Sequence, residues 1–188
     1  MKERNPLYNF VHLVIKKVWQ EDIKVDYENL LLLKEDSFKN AFYYHLRRRI
    51  GDDYLKTNNL RIFTEFYIEG ERIDLVIAEI NPLMAEEEHL GYCITKIVAG
   101  IEMKHKGKYA SEKLFDKDIS KVIAYSKKLD FDTMLYVAFI REKYFYSDEV
   151  TYWMSDDQIE LARGKVTELY SYIDAETENM VWLIEEHL

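Results

Sequence analysis

The chain has 188 residues, 48% of them apolar and 32% charged, with two prolines and six glycines, which excludes long disordered or low-complexity stretches and suits one domain over residues 1–188. A net charge of −9 opposes indiscriminate coating of nucleic acid, and the lone Cys93 excludes an internal disulfide. No apolar run approaches the roughly 20 residues of a membrane span, and Lys16 and Lys17 interrupt the N-terminal apolar stretch, so a cytoplasmic protein with no membrane segment and no signal peptide is expected.

Asn5 followed by Pro6 predicts a capped helix running to about Trp19, apolar nearly all round and therefore buried. Ser37 is the predicted cap of a second helix, which ends at Gly51 after three cations, Arg47, Arg48 and Arg49, suited to its negative end. The period then shortens. RIFTEFYI (61–68) and RIDLVIAEI (72–80), joined by a turn through Glu69, Gly70 and Glu71, predict an antiparallel hairpin. A polar loop precedes a third strand from about Thr95 to His105. Asp116 or Asp118 is placed to cap a helix with Ile119, Val122 and Ile123 on one side and Lys117, Lys121 and Lys128 on another. MLYVAFI (134–140) predicts a buried fourth strand, and VTYWM (150–154) a fifth. Ser155 and Gln158 form a capping box for a helix to about Ile173, and MVWLIE (180–185) reads as an edge strand or a short helix. This order predicts an α/β domain: a mixed central sheet of four or more strands flanked by helices, with further N- and C-terminal helices.

The charge is uneven. Residues 142–188 hold 12 acids and 3 bases, the entire excess, whereas residues 1–141 hold 23 of each sign. Residues 104–128 hold eight lysines against Glu112, Asp116 and Asp118. Such an island is either a solvated helix face or a footprint for an anion.

The island begins at GIEMKHKGK (100–108). Side chains alternate along a strand, so Glu102 and Lys104 share one face; with the hairpin beside it, Asp74 can stand across from Glu102. Two carboxylates, joined by the Met103 backbone carbonyl, make a hard oxygen site for Mg²⁺ or Mn²⁺, and an adjacent lysine can orient water and offset negative charge. Acid-x-lysine alone is weak: DIK at Asp22 matches it too. What distinguishes EMK is its place in a strand, after a hairpin carrying Asp74 and before a lysine-rich helix. The competing readings are structural: Asp74 paired with Arg61 or Arg72, and Glu102 with Lys104 as an exposed ladder of charges. His105 reads as a surface histidine. The other histidines and the single cysteine have no zinc-ligand spacing. GIEMKHKGK lacks the serine or threonine of a phosphate-binding loop.

RIDLVIAEI, IVAGIEMKHKG and DISKVIAYSKK together resemble the PD-(D/E)XK nuclease superfamily, with its restriction-endonuclease-like fold, over about residues 37–140. The resemblance implies an αβββαβ core there, an N-terminal helical extension over 1–36 and an acidic C-terminal extension over 141–188. It implies a Mg²⁺- or Mn²⁺-dependent nuclease acting on DNA rather than RNA, with Asp74, Glu102 and Lys104 catalytic and Asp74, Glu102 and Met103 holding metal. Glu65 and Lys121 match a second tier of site residues, and Lys106, Lys108, Lys113 and Lys117, with Arg47 to Arg49, would take the phosphate backbone. The acidic C-terminal region would face away, toward solvent, a second copy or a protein partner. Two departures stand out: Ile73 occupies the motif's proline position, and SFKNAFYYHLRRRI lacks the helix acid, for which Glu35 or Asp36 could substitute. They keep open an alternative, a nuclease-fold module that binds nucleic acid or protein without cutting.

Overall fold

The computed structural model describes residues 5–68, 70–84, 87–109, 111–146, 153–162 and 164–187. Asn5 Oδ1 accepts the Leu7 N–H at 3.0 Å, and Pro6 opens α1 (Pro6–Lys17), where its missing N–H costs nothing. The helix does not stop near Trp19. It continues through a π-helical turn (Val18–Ile23) into α2 (Lys24–Glu28), keeping Val18, Trp19 and Ile23 in the core. α3 (Glu35–Ile50) starts ahead of the predicted cap: Ser37 is its third residue, and its hydroxyl reaches back to accept the Lys34 N–H at 3.0 Å. Glu35 and Asp36 thereby belong to the first helical turn. The helix ends as expected at Gly51, whose φ of +87° suits a residue without Cβ. A short α4 (Asp52–Thr57) leads into the sheet.

The strands are β1 (Leu60–Ile68), β2 (Glu71–Ile80), β3 (Ile94–Lys106), β4 (Met134–Phe145), β5 (Val166–Asp174) and β6 (Met180–Glu186). They lie side by side in sequence order. β1, β2 and β3 form an antiparallel meander; β3, β4 and β5 are parallel; β6 returns antiparallel at the edge. The parallel step from β3 to β4 needs a crossover, supplied by α5 (Lys113–Lys128), and α6 (Asp156–Ala162) lies between β4 and β5 in the chain.

Helices cover both faces. On one, Val11, Ile15 and Trp19 of α1 and the adjoining turn, with Phe38 and Phe42 of α3, pack on Leu75, Ile101, Met103 and Tyr136. On the other, Phe115, Ile119 and Val122 of α5 pack on Val76, Leu135, Val137 and Phe139. The N-terminal helices thus share one buried apolar cluster with the sheet. Among the described residues no helix is long and apolar enough to cross a membrane.

The C-terminal region departs most from expectation. The capping box is real, with the Ser155 N–H donating to Gln158 Oε1 at 2.9 Å and the Gln158 N–H to Ser155 Oγ at 3.4 Å. Its helix ends at Ala162, and residues 166–174 form a strand paired on both edges. Pairing with β4 and β6 outweighs any helical preference there. MVWLIE is the edge strand, one of its two predicted forms. Of the VTYWM strand, residues 150–152 lie outside the described residues, and Trp153 and Met154 are in a bend. Among the described residues, the acidic C-terminal region therefore adds two strands and one short helix.

Candidate active site

The register of the meander creates the site. β2 and β3 pair from Ile80 with Ile94 to Leu75 with Ile101, and no further. Beyond that point β2 stays with β1 as far as Glu71, while β3 stays with β4 as far as Lys106. The strands therefore fork, and Asp74 and Glu102 are the first residues on its two arms. Asp74 Oδ2 accepts the Met103 N–H at 2.7 Å, so a side chain replaces the next rung of the ladder. In an extended strand the N–H and C=O of one residue point to the same edge, so the Met103 carbonyl faces the fork too.

An open fork lets helices from both faces reach one spot. From α3, the Lys39 ammonium lies 2.6 Å from Asp74 Oδ1 and 3.2 Å from Glu35 Oε1. From α5, Lys121 lies 2.7 Å from Glu102 Oε1 and donates to the Arg72 carbonyl at 3.0 Å. Lys104 is held between Asp118 at 2.9 Å and Glu35 at 3.3 Å. Glu65, opposite on β1 with a strained φ of +54°, reaches Arg72 at 2.7 Å and Lys39 at 3.4 Å. The resulting cleft of 290 Å³ is lined by five acids and five bases that pair across it.

Burial shapes these charges. Glu102 is 1% exposed; burial, then repulsion from Asp74, pushes its carboxyl up to about 8 against the pull of Lys121. Burial alone would depress Lys104, but Asp118 and Glu35 outweigh it and raise it. Lys39 is raised in the same way by Asp74 and Glu35 against burial. Both lysines stay cationic at neutral pH and cannot serve as general bases there.

The fork brings together Asp74, Glu102, Lys104, Glu65 and Lys121. Neither structural alternative for Asp74 holds, since Arg61 donates to the Leu60 carbonyl and Arg72 pairs with Glu65. Glu102 and Lys104 are not an exposed ladder; their side chains are 2% and 17% exposed. Lys113, Lys117 and Lys121 recur every fourth residue of α5 and form one stripe beside the cleft, with Lys117 in its lining. Lys106 ends β3, and Lys108 lies over the exposed Tyr109 ring at 5.4 Å.

Arg47 to Arg49 are not brought in. They lie about 18 Å along α3 from Glu35 by helical rise, where Arg47 pairs with Asp52, Arg48 with Asp22, and Arg49 with Asp22 and Glu21. His105 is not a surface residue either: it is buried, with Tyr27 edge-on to its ring and Glu142 3.7 Å from it. Asp118 is not a helix cap, because α5 starts at Lys113; it is the buried partner of Lys104. Of the two acids considered for the missing helix acid, Glu35 reaches the cleft, while Asp36 pairs with Lys34 at the surface. Sequence reasoning missed Lys39 altogether. The signal was present as Glu35 and Lys39 in i,i+4 spacing, hidden by starting the helix at Ser37.

Among the described residues, no three His, Cys, Asp or Glu side chains are drawn together tightly enough to hold a metal ion. In the cleft, ammonium groups space the carboxylates apart. The donors still suit a hard divalent cation: two carboxylates and a carbonyl edge share the fork, and Glu102 Oε1 is buried without a well-aligned hydrogen bond, Lys121 making only an ionic contact with it. The chain matches no protein-family model, and no curated protein matches its sequence. Fold and site define an α/β protein with a six-stranded mixed sheet and an ion-paired cleft where two strands part.

Proposed function

We propose that the protein is a Mg²⁺- or Mn²⁺-dependent nuclease of restriction-endonuclease-like fold that hydrolyses phosphodiesters, DNA before RNA, in the cytoplasm. The observation that carries this reading is the fork itself, which sets Asp74, Glu102 and Lys104 on one cleft with a lysine stripe alongside. The order α3, β1, β2, β3, α5, β4, with the short α4 inserted between α3 and β1, is consistent with the αβββαβ core that the sequence resemblance implies, and Glu35 on α3 would supply an acid at the helix position.

Asp74, Glu102 and the Met103 carbonyl would hold the cation. It would supply charge neutralisation on the phosphate oxygens and make a nearby water more acidic. A divalent ion would hold Glu102 ionised and still leave the cleft more positive, which favours phosphate, while without it the lining acids and bases pair with one another. Lys104, fixed by Asp118 and Glu35, orients the attacking water and offsets negative charge that builds on the phosphate. Water oxygen bonds to phosphorus, one P–O ester bond breaks, and the leaving oxygen takes a proton. Lys113, Lys117 and Lys106 bind flanking phosphates and set the strand's position without reading bases.

The test is a cleavage panel on single- and double-stranded DNA and RNA with Mg²⁺, Mn²⁺ or EDTA. Wild-type protein is expected to cut with metal, and Asp74→Ala and Lys104→Ala to lose cutting by at least about 100-fold; equal behaviour of all three proteins overturns the reading. The close pairing of Lys39, Lys104 and Lys121 with carboxylates favours a second reading, a binding module that does not cut. Mn²⁺ calorimetry separates the two, because that module has no need to take up metal at Asp74 and Glu102.

A further inference from the structure

Lys39 holds a place that neither the acid-x-lysine pattern nor the phosphate-binding role of the other lysines accounts for. Its ammonium sits among three carboxylates from three different elements: Asp74 of β2 at 2.6 Å, Glu35 of α3 at 3.2 Å and Glu65 of β1 at 3.4 Å. Its side chain is only 14% exposed, so this is an enclosed cage rather than a surface ion pair. Glu65 enters that cage from a residue with φ of +54°, a conformation that costs energy and persists only where its surroundings enforce it. On its other side Asp74 binds the Met103 N–H at 2.7 Å, so each carboxylate oxygen has one fixed donor and keeps lone pairs to spare.

We propose that the Lys39 ammonium is the fixed second cation of this cleft, so that the protein takes up a single divalent ion, at Asp74 and Glu102, and cannot take up two. The proposal rests on the nuclease reading for the first ion only.

Three carboxylates with no cation among them would repel one another and attract a dication. An ammonium on a tether answers that need permanently, without depending on the metal supply. Three carboxylates within 2.6 to 3.4 Å of its nitrogen hold the Lys39 side chain as an ammonium. It is also too strongly held to be displaced cheaply, since leaving would strand three buried or half-buried acids. Its spacing from the oxygens, 2.6 to 3.4 Å, is that of ammonium hydrogen bonds and ion pairs and exceeds the about 2.1 Å of Mg²⁺ to oxygen. That difference explains why these three acids cannot close together on a second metal ion while the lysine stands among them. Lys39 is thus a positioning residue: it aims Asp74 and balances charge, and it touches no substrate.

The experiment counts ions rather than products. Mn²⁺ stoichiometry is measured by calorimetry on wild-type protein, Lys39→Ala, which empties the cage, and Lys39→Met, which refills it with an uncharged chain. We expect one ion for wild type, two for Lys39→Ala and one for Lys39→Met, with Mn²⁺ raising the unfolding temperature of Lys39→Ala more than that of the other two. Two ions in wild type, or no additional ion in Lys39→Ala, overturns the inference. Wild type with no ion overturns both the inference and the metal-dependent nuclease, whereas two ions in wild type overturns the inference alone. If Lys39→Ala does not fold, the wild-type count decides alone: one ion supports the proposal and any other number overturns it.

Discussion

Replacing Glu102 by glutamine removes a charge that the native state holds at a cost, and the cost can be worked out. Burial and then Asp74 raise this carboxyl from 4.5 to about 8, with Lys121 only partly offsetting them. Between those two pH values the folded protein keeps a proton that the unfolded chain has lost. Wild-type stability must therefore fall as pH rises through that window and level off above it. At about 1.4 kcal/mol per pH unit the ceiling is about 5 kcal/mol; water entry and side-chain relaxation leave about 2–4 kcal/mol to be measured. Glutamine keeps the shape and does not titrate. Urea unfolding of both proteins in EDTA at pH 5, 6.5 and 8 should show Glu102→Gln gaining on wild type as pH rises, by the full 2–4 kcal/mol at pH 8. Adding Mn²⁺ at pH 8 should close the gap from the wild-type side, because a cation favours the ionised carboxylate. Stability curves that stay parallel across this range would refute the account of Glu102 as a buried, repelled carboxylate.

Other expectations follow from particular contacts. A Cβ on Gly100 would lie 2.6 Å from Ile73 Cδ1 and 3.1 Å from Leu135 Cδ2, so Gly100→Ala should cost about 1–3 kcal/mol in urea unfolding and, by shifting Ile73, disturb Asp74 and metal uptake. Glu168 is fully buried and binds His187 Nε2 at 2.7 Å and the Trp153 and Met154 N–H groups at 2.9 and 3.3 Å; Glu168→Leu should cost about 3–5 kcal/mol with the cleft unchanged. Asn5→Ala loses the first helix cap, about 1 kcal/mol in the same assay. If Lys113 and Lys117 contact phosphates, replacing both by alanine should flatten the salt dependence of DNA binding by about 0.9 in logarithmic slope for each lysine.

The fork shows how far local pattern reaches. Asp74, Glu102 and Lys104 were legible because strand alternation fixes which side chains share a face, and a hairpin followed by a third strand fixes which residues can meet. Lys121 and Glu65 were legible only through the resemblance to a family. Glu35, Lys39 and Asp118 were obscured by helix boundaries. Ser37 is the better cap by residue type, yet the helix begins at Glu35 and uses Ser37 from within its first turn, which turns Glu35 and Lys39 onto one face. Asp118 passed for a cap although α5 opens five residues earlier at Lys113, whose N–H is accepted by Ser111 Oγ at 3.3 Å.

By itself the sequence determined the main helices and strands through β4, the first helix cap, the stop at Gly51 and which of Asp74, Glu102 and Lys104 can share a face. These depend on neighbours a few residues apart, where propensity and periodicity act. The tertiary structure decided that residues 166–174 are a strand, since only β4 and β6 on either side make an extended chain there the better choice. It also decided that β2 and β3 part after Leu75 and Ile101, which opens the sheet to α3 from one face and α5 from the other. Lys39 and Asp74 are 35 positions apart, and no local rule brings them within 2.6 Å; the packing of α3 against the sheet does.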